Sequence, residues 1–152
     1  MRKARLKLDK DYTIAKVDKR IFSTFIEPIG DIVYGSIYDP KHPTADEQGF
    51  RKDVMEIMKD LKSTAIRYPG GNFVSNYHWM DGIGPKDKRP ARFDKAWKRI
   101  ESNEMGIDEY TDWVKKVGSE PMLAVNLGTG TPEEAAYEIE YTNVEGGTYF
   151  SE

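Results

Sequence analysis

Apolar residues recur at two different periods along this chain, and the switches between them mark its elements. Ala4, Leu6 and Leu8 alternate with Arg5 and Lys7, the period of a half-buried strand. A second apolar run over 21–26 ends in Glu27, Pro28 and Gly30. A third, over 64–68, is stopped by Pro69-Gly70-Gly71, since proline has no amide proton and glycine reaches positive φ. Between these runs Phe50, Val54, Ile57, Met58 and Leu61 recur at the helical period, beginning near Gly49. A second helix carries Ile107, Tyr110, Trp113, Val114 and Val117, with Asn103 or Asp108 as its cap and Gly118 at its stop. Residues 121–127 read as a strand, and Thr131, Pro132 and Glu134 open a third helix through Ala135, Ala136 and Ile139. Strand and helix thus alternate three times, which predicts parallel strands joined by right-handed crossovers.

Two long polar stretches interrupt this alternation. Residues 28–48 lack a helical pattern and exceed an ordinary βα connection, so they are functional or hold a small element of their own. Residues 80–102 are charged and punctuated by Gly82, Gly84, Pro85 and Pro90; within them, 91–100 is predicted to hold a helical turn or two presenting Trp97. A tryptophan in such a loop serves either as a packing lid or as a platform for the face of a ligand.

Composition removes several classes. The chain has 152 residues, 38% hydrophobic and 32% charged, with a mean hydropathy of −0.70, polar for a domain of this size. Net charge is −3 with both signs interspersed, and the basic N-terminal segment is broken by Asp9, Asp11 and Asp18, so neither nucleic acid nor membrane is an expected partner. Cysteine is absent, which removes disulfides, thiolate metal sites and thiol nucleophiles. The first residues lack an apolar leader, no run approaches the ~20 residues of a membrane span, and a cytoplasmic location is expected. His42 and His78 have neither the spacing nor the partners of a metal site, and no cofactor is expected.

Candidate chemistry is densest in 64–79, TAIRYPGGNFVSNYHW, where a buried strand ends in a glycine pair followed by Asn72, Phe73, Tyr77, His78 and Trp79. Glu27, Arg67, Asn72 and Asn126 all fall at the C-terminal ends of predicted strands or in the loops after them. That placement fits a (β/α)₈ barrel. A doubly wound sheet fits less well, because Gly128-Thr129-Gly130-Thr131 has the spacing of neither phosphate-binding loop.

The segments FIEPIGDIVYGSIYDP, GFRKDV, RYPGGNFVSNYHWMDGIGPKDKRP, ESNEMGIDEY and EPMLAVNLGTGT together resemble the N-terminal third of the intracellular α-L-arabinofuranosidases of glycoside hydrolase family 51. The resemblance implies an α/β fold: residues 1–18 form an N-terminal strand segment contributed to a β-sandwich, and 19–152 hold the first three βα units of an incomplete (β/α)₈ barrel. It implies retaining hydrolysis of terminal α-L-arabinofuranosyl residues from arabinan or arabinoxylan oligosaccharides, by an enzyme that commonly assembles as a hexamer. Residue by residue, it makes Glu27 an acceptor for sugar hydroxyls, Asn72 a second polar contact, Trp97 an aromatic near the leaving-group side, and Arg67 the support of the nucleophile. Retention needs two carboxyl groups roughly 5–5.5 Å apart. The family places its acid/base in an Asn-Glu pair after the fourth strand and its nucleophile after the seventh, both beyond Glu152. Asn103-Glu104 mimics the first but precedes a helix. No catalytic acid is therefore expected in this chain, which needs a complementing C-terminal chain of the same enzyme and is inactive alone. A noncatalytic sugar-binding module and an assembly subunit are the alternatives.

Overall fold

A computed structural model describes residues 2–151. Its centre is a three-stranded parallel sheet of β1 (Thr24–Phe25), β2 (Ala65–Tyr68) and, after an intervening hairpin of β3 (Arg92–Asp94) and β4 (Arg99–Glu101), β5 (Glu120–Leu123), in the order β1-β2-β5. A helix follows each strand: α1 (Lys52–Leu61), α2 (Ile107–Lys116) and α3 (Pro132–Asn143). The alternation read from the periodicity is thus present, with β1 far shorter than the 21–26 run, because Lys19–Phe22 winds into a 3₁₀ turn capped by Asp18.

The two faces of the sheet differ. Ile66 and Tyr68 point into the core with Ile26, Val33, Phe50, Met55, Trp113 and Val114. Tyr68 and Tyr110 stack there at 4.6 Å and 12°. Their hydroxyls are used: Tyr68 donates to Met105 O at 2.6 Å, while Tyr110 donates to Ile66 O and accepts from Met122 N at 2.9 Å, tying α2 across β2 and β5. Parallel register places Phe25, Arg67 and Met122 in one row on the opposite face. Phe25 is 56% and Met122 40% exposed, so the described residues leave that row uncovered.

The 28–48 stretch packs instead of forming a regular element. Val33, Ile37 and Tyr38 enter the core, and isolated bridges join Tyr38 to Phe50 and Ala45 to Arg51. Asp46 braces the loop by accepting from the Gln48 and Phe50 amides and pairing with Lys116. On α1 the expected stripe is only half used: Met55 is buried and Val54 and Met58 are partly buried, but Ile57 and Leu61 are 67% and 60% exposed.

Two expectations are corrected. The 91–100 stretch is not helical. It is an antiparallel hairpin of β3 (Arg92–Asp94) and β4 (Arg99–Glu101), whose turn passes through Lys98 at φ +54°. Its polarity is inverted, with Asp94 and Glu101 buried and Phe93 and Ile100 exposed, so the carboxylates find hydrogen-bond partners inside. Neither Asn103 nor Asp108 caps α2; Gly106 does, its amide donating to Glu109 at 2.8 Å. Asn103 turns the chain just before, at φ +58°. Of the expected N-terminal strand segment, residues 2–18 stand unpaired among the described residues, with Leu6 and Leu8 85% and 87% exposed. Met1, part of that expectation, lies outside the described residues. The other termini of helices match the pattern: Gly118 follows α2 at φ +78°, and the Thr131 hydroxyl accepts from Glu134 N at 3.2 Å.

Candidate active site

The end of β2 builds the site. Beyond Tyr68 the chain passes a cis Tyr68-Pro69 bond into Gly70, at φ +135°, and Gly71. A side chain on Gly70 would stand 2.3 Å from Glu27 Cβ, so only glycine lets this turn lie against the residue that leaves β1. Glu27 is 5% exposed and accepts a hydrogen bond from the Gly71 amide through Oε2. The two strand ends are thereby locked together.

An open groove of ≈ 540 Å³ lies over this contact. Glu27, Gly71, Asn72 and Trp97 line it, with Phe25, Ile29 and Ile32 supplying apolar wall. Three residues singled out in the sequence, Glu27, Asn72 and Trp97, thus meet at one groove, although they come from the segment after β1, from the turn after β2 and from the hairpin. Asp94 sets the last of them: its carboxylate accepts from Ala96 N at 2.9 Å and Trp97 N at 3.0 Å, fixing the hairpin turn that carries the indole. Among the described residues Glu27 is the one carboxylate lining the groove.

Arg67 stands beside it. Its guanidinium lies 4.9 Å from the centre of the Phe25 ring, and its Nε is buried without a hydrogen-bond partner. A buried donor left unpaired is costly, so this guanidinium is poised for an acceptor arriving over the sheet. Asn126, the fourth strand-end group, is occupied locally: its side chain donates to Tyr77 O at 2.8 Å and accepts from the Gly128 and Thr129 amides, making the turn before α3.

Other ionisable residues serve packing. His78 Nδ1 lies 2.9 Å from a Glu134 carboxylate oxygen, and Asp81 holds Arg92 through two bonds at 2.8 and 3.1 Å. Glu101 accepts from Tyr34 and from the Asn103 amide, and its burial raises its pKa. Glu104, in the rejected Asn-Glu pair, is exposed and away from the groove. The inverted hairpin was the part of the site missed from sequence; the alternation of Arg92-Phe93-Asp94 and Arg99-Ile100-Glu101 was its signal. Among the described residues no group of three or more His, Asp or Glu is disposed to hold a metal ion, and no helix is long and apolar enough to cross a membrane.

Residues 57–145, more than half of the chain, match the α-L-arabinofuranosidase 1 domain. The chain belongs to that family. Its relatives include the intracellular exo-α-(1→5)-L-arabinofuranosidases of Acetivibrio thermocellus and Bacillus subtilis, 53% and 52% identical over the whole of this chain. The chain spans about 30% of the length of these curated relatives. Among solved structures, a family 51 α-L-arabinofuranosidase from Bifidobacterium longum superposes with a TM-score of 0.90 at 54% identity, over 93% of this chain and 28% of that one. The Thermotoga maritima α-L-arabinofuranosidase, solved with arabinose, gives 0.83 at 51% identity over 85% of this chain and 27% of that one. The resemblance to glycoside hydrolase family 51 read from the motifs thus holds, and the arabinofuranosidase domain here corresponds to the N-terminal part of those proteins.

Proposed function

We propose that this arabinofuranosidase domain supplies the sugar-holding wall of a retaining α-L-arabinofuranosidase, while the two carboxyl groups that break the bond come from the remainder of the enzyme. One observation carries the reading: Glu27, Asn72 and Trp97 share one groove whose lining, among the described residues, holds a single carboxylate. A furanose needs polar groups around its hydroxyls and an apolar surface against its face, and the groove offers both. Retaining hydrolysis needs a carboxyl pair roughly 5–5.5 Å apart, which one glutamate cannot supply. The buried, unpartnered Nε of Arg67 is the natural neighbour of an incoming nucleophile carboxylate, which it would keep ionised.

In this reading β1, β2 and β5 are the first three strands of a (β/α)₈ barrel, and Phe25, Arg67 and Met122 form part of its interior layer. The exposed Ile57 and Leu61 of α1 face a later helix, and 2–18 pairs within a β-sandwich domain. The substrate is a terminal α-L-arabinofuranosyl residue of an arabinan or arabinoxylan oligosaccharide, the assembly is a homo-oligomer, and the location is cytoplasmic, in keeping with relatives named intracellular exo-arabinofuranosidases.

The test is complementation. The 152-residue chain alone should release no nitrophenol from a nitrophenyl α-L-arabinofuranoside, and co-expression with the complementary C-terminal part of the Bacillus subtilis relative should restore turnover that Glu27→Ala then abolishes. Turnover by the chain alone would defeat the missing-carboxylate argument, and an active complemented enzyme indifferent to Glu27→Ala would remove its role in holding sugar.

A further inference from the structure

We propose that the cavity bordered by the β3–β4 hairpin is a second binding site, separate from the groove, for a neutral polyhydroxyl ligand the size of one pentose. The cavity measures ≈ 310 Å³ and is built entirely from the connection between β2 and α2. That volume sits at the lower end of the roughly 300–1,000 Å³ of small-molecule sites, enough for a single sugar unit and too small for an oligosaccharide.

Its deepest polar group is Asn103, 1% exposed, whose Oδ1 has no hydrogen-bond partner. The orientation of that amide is determined by chemistry. Nδ2 lies 2.6 Å from the Pro90 carbonyl oxygen, which can only accept, so the amide nitrogen must face Pro90 and the oxygen is left for the cavity. Buried polar atoms of folded proteins are paired almost without exception, so an orphaned acceptor lining a void calls for an occupant that donates to it. A sugar hydroxyl does so.

The rest of the wall has matching character. Phe73 and the half-exposed Phe93 give it aromatic surface for the apolar face of a ring, and the Arg92–Asp81 fork at the mouth presents donors and acceptors together. The hairpin separates the two sites: Trp97, in its turn, borders the groove, whereas Phe93 and Glu101, on its strands, wall the cavity. The proposal stands on the cavity alone and does not require the groove to hold arabinose.

The experiment is a titration of ¹⁵N-labelled chain with L-arabinose, followed by heteronuclear NMR. Saturable shifts are expected at the Asn103 side-chain amide and at Arg92 Nε–H, with the same apparent dissociation constant in the Glu27→Ala variant. Phe93→Ala, a change at a half-exposed ring, should weaken this binding at least tenfold while the spectrum stays dispersed, and Phe93→Tyr should keep it. Occupancy of the groove is read independently at the Gly71 and Asn72 amides. The proposal fails if the Asn103 resonances stay fixed throughout the titration, or if their shifts rise linearly and persist in Phe93→Ala.

Discussion

Replacing Gly70 by alanine tests the packing that aims Glu27. Two penalties add. Gly70 sits at φ +135°, where an L-residue is strained by about 1–3 kcal/mol. The new methyl would also stand 2.3 Å from Glu27 Cβ, 2.5 Å from Oε2 and 2.8 Å from Cγ. Glu27 has little room to withdraw, because its carbonyl accepts from the Ile29 amide and the preceding Ile26 amide is bound to Arg67 O at 2.9 Å. Overpacking of this kind costs about 1–3 kcal/mol, for a total of about 2–6 kcal/mol. With a urea dependence of ~2 kcal/mol per molar, the unfolding midpoint read by tryptophan fluorescence should fall by roughly 1–3 M. Gly84→Ala is the control: Gly84 has φ +72° but nothing within 4 Å of the added methyl, so it carries the backbone penalty of ~1–2 kcal/mol alone. Equal midpoint shifts in the two variants would refute the argument that contact with Glu27 requires glycine here.

Three further outcomes follow from buried polar groups. Arg89, whose side chain is 3% exposed, grips Glu109 through two bonds of 2.9 Å, so Arg89→Met should cost about 3–5 kcal/mol, a drop of roughly 6–20 °C in Tm by calorimetry. Burial works against ionised Glu109, but Arg89 and the Gly106 amide outweigh it and hold its pKa low; this stability is present above the unfolded glutamate pKa of ~4.3 and is lost as pH falls, a dependence that Arg89→Met should weaken. Glu138 behaves oppositely: burial, then the charge of Glu134, pushes its pKa up to about 7. Its protonated form is favoured on folding, so stability should decline from about pH 4.5 to pH 7 by up to ~3 kcal/mol, and Glu138→Gln should flatten that decline in urea melts across pH. Tyr110→Phe should cost ~1–3 kcal/mol and speed amide exchange at Met122, since Ile66 O and Met122 N both lose the hydroxyl; unchanged exchange would show that this bridge does not hold β5.

What a reader of the sequence sees is whatever local periodicity and chain stiffness control. The spacing of Tyr110, Trp113, Val114 and Val117 specifies a helix with one buried face, Thr131 and Glu134 specify its successor's first turn, and Pro69-Gly70-Gly71 specifies where β2 must end. The motif resemblance located Glu27, Arg67, Asn72 and Trp97, and a strand-end position already marked the first three as candidates. The hairpin at 92–101 escaped because its polarity is reversed: Asp94 and Glu101 turn inward and Phe93 and Ile100 outward, so binary patterning points the wrong way. Nearby amides satisfy part of each buried carboxylate, but Glu101 also takes the Tyr34 hydroxyl, 67 residues away, which no local pattern announces.

The identities and order of the three sheet strands and the three helices, and the glycine-rich stop after β2, were settled by the sequence itself, because backbone preference and hydrophobic period act between neighbours. The meeting of Glu27, Asn72 and Trp97 was decided by tertiary structure, as was the uncovered row of Phe25, Arg67 and Met122. The bond from the Gly71 amide to Glu27 spans 44 residues, and no local preference encodes such a contact; it exists because parallel pairing of β1 with β2 brings their ends to the same edge of the sheet.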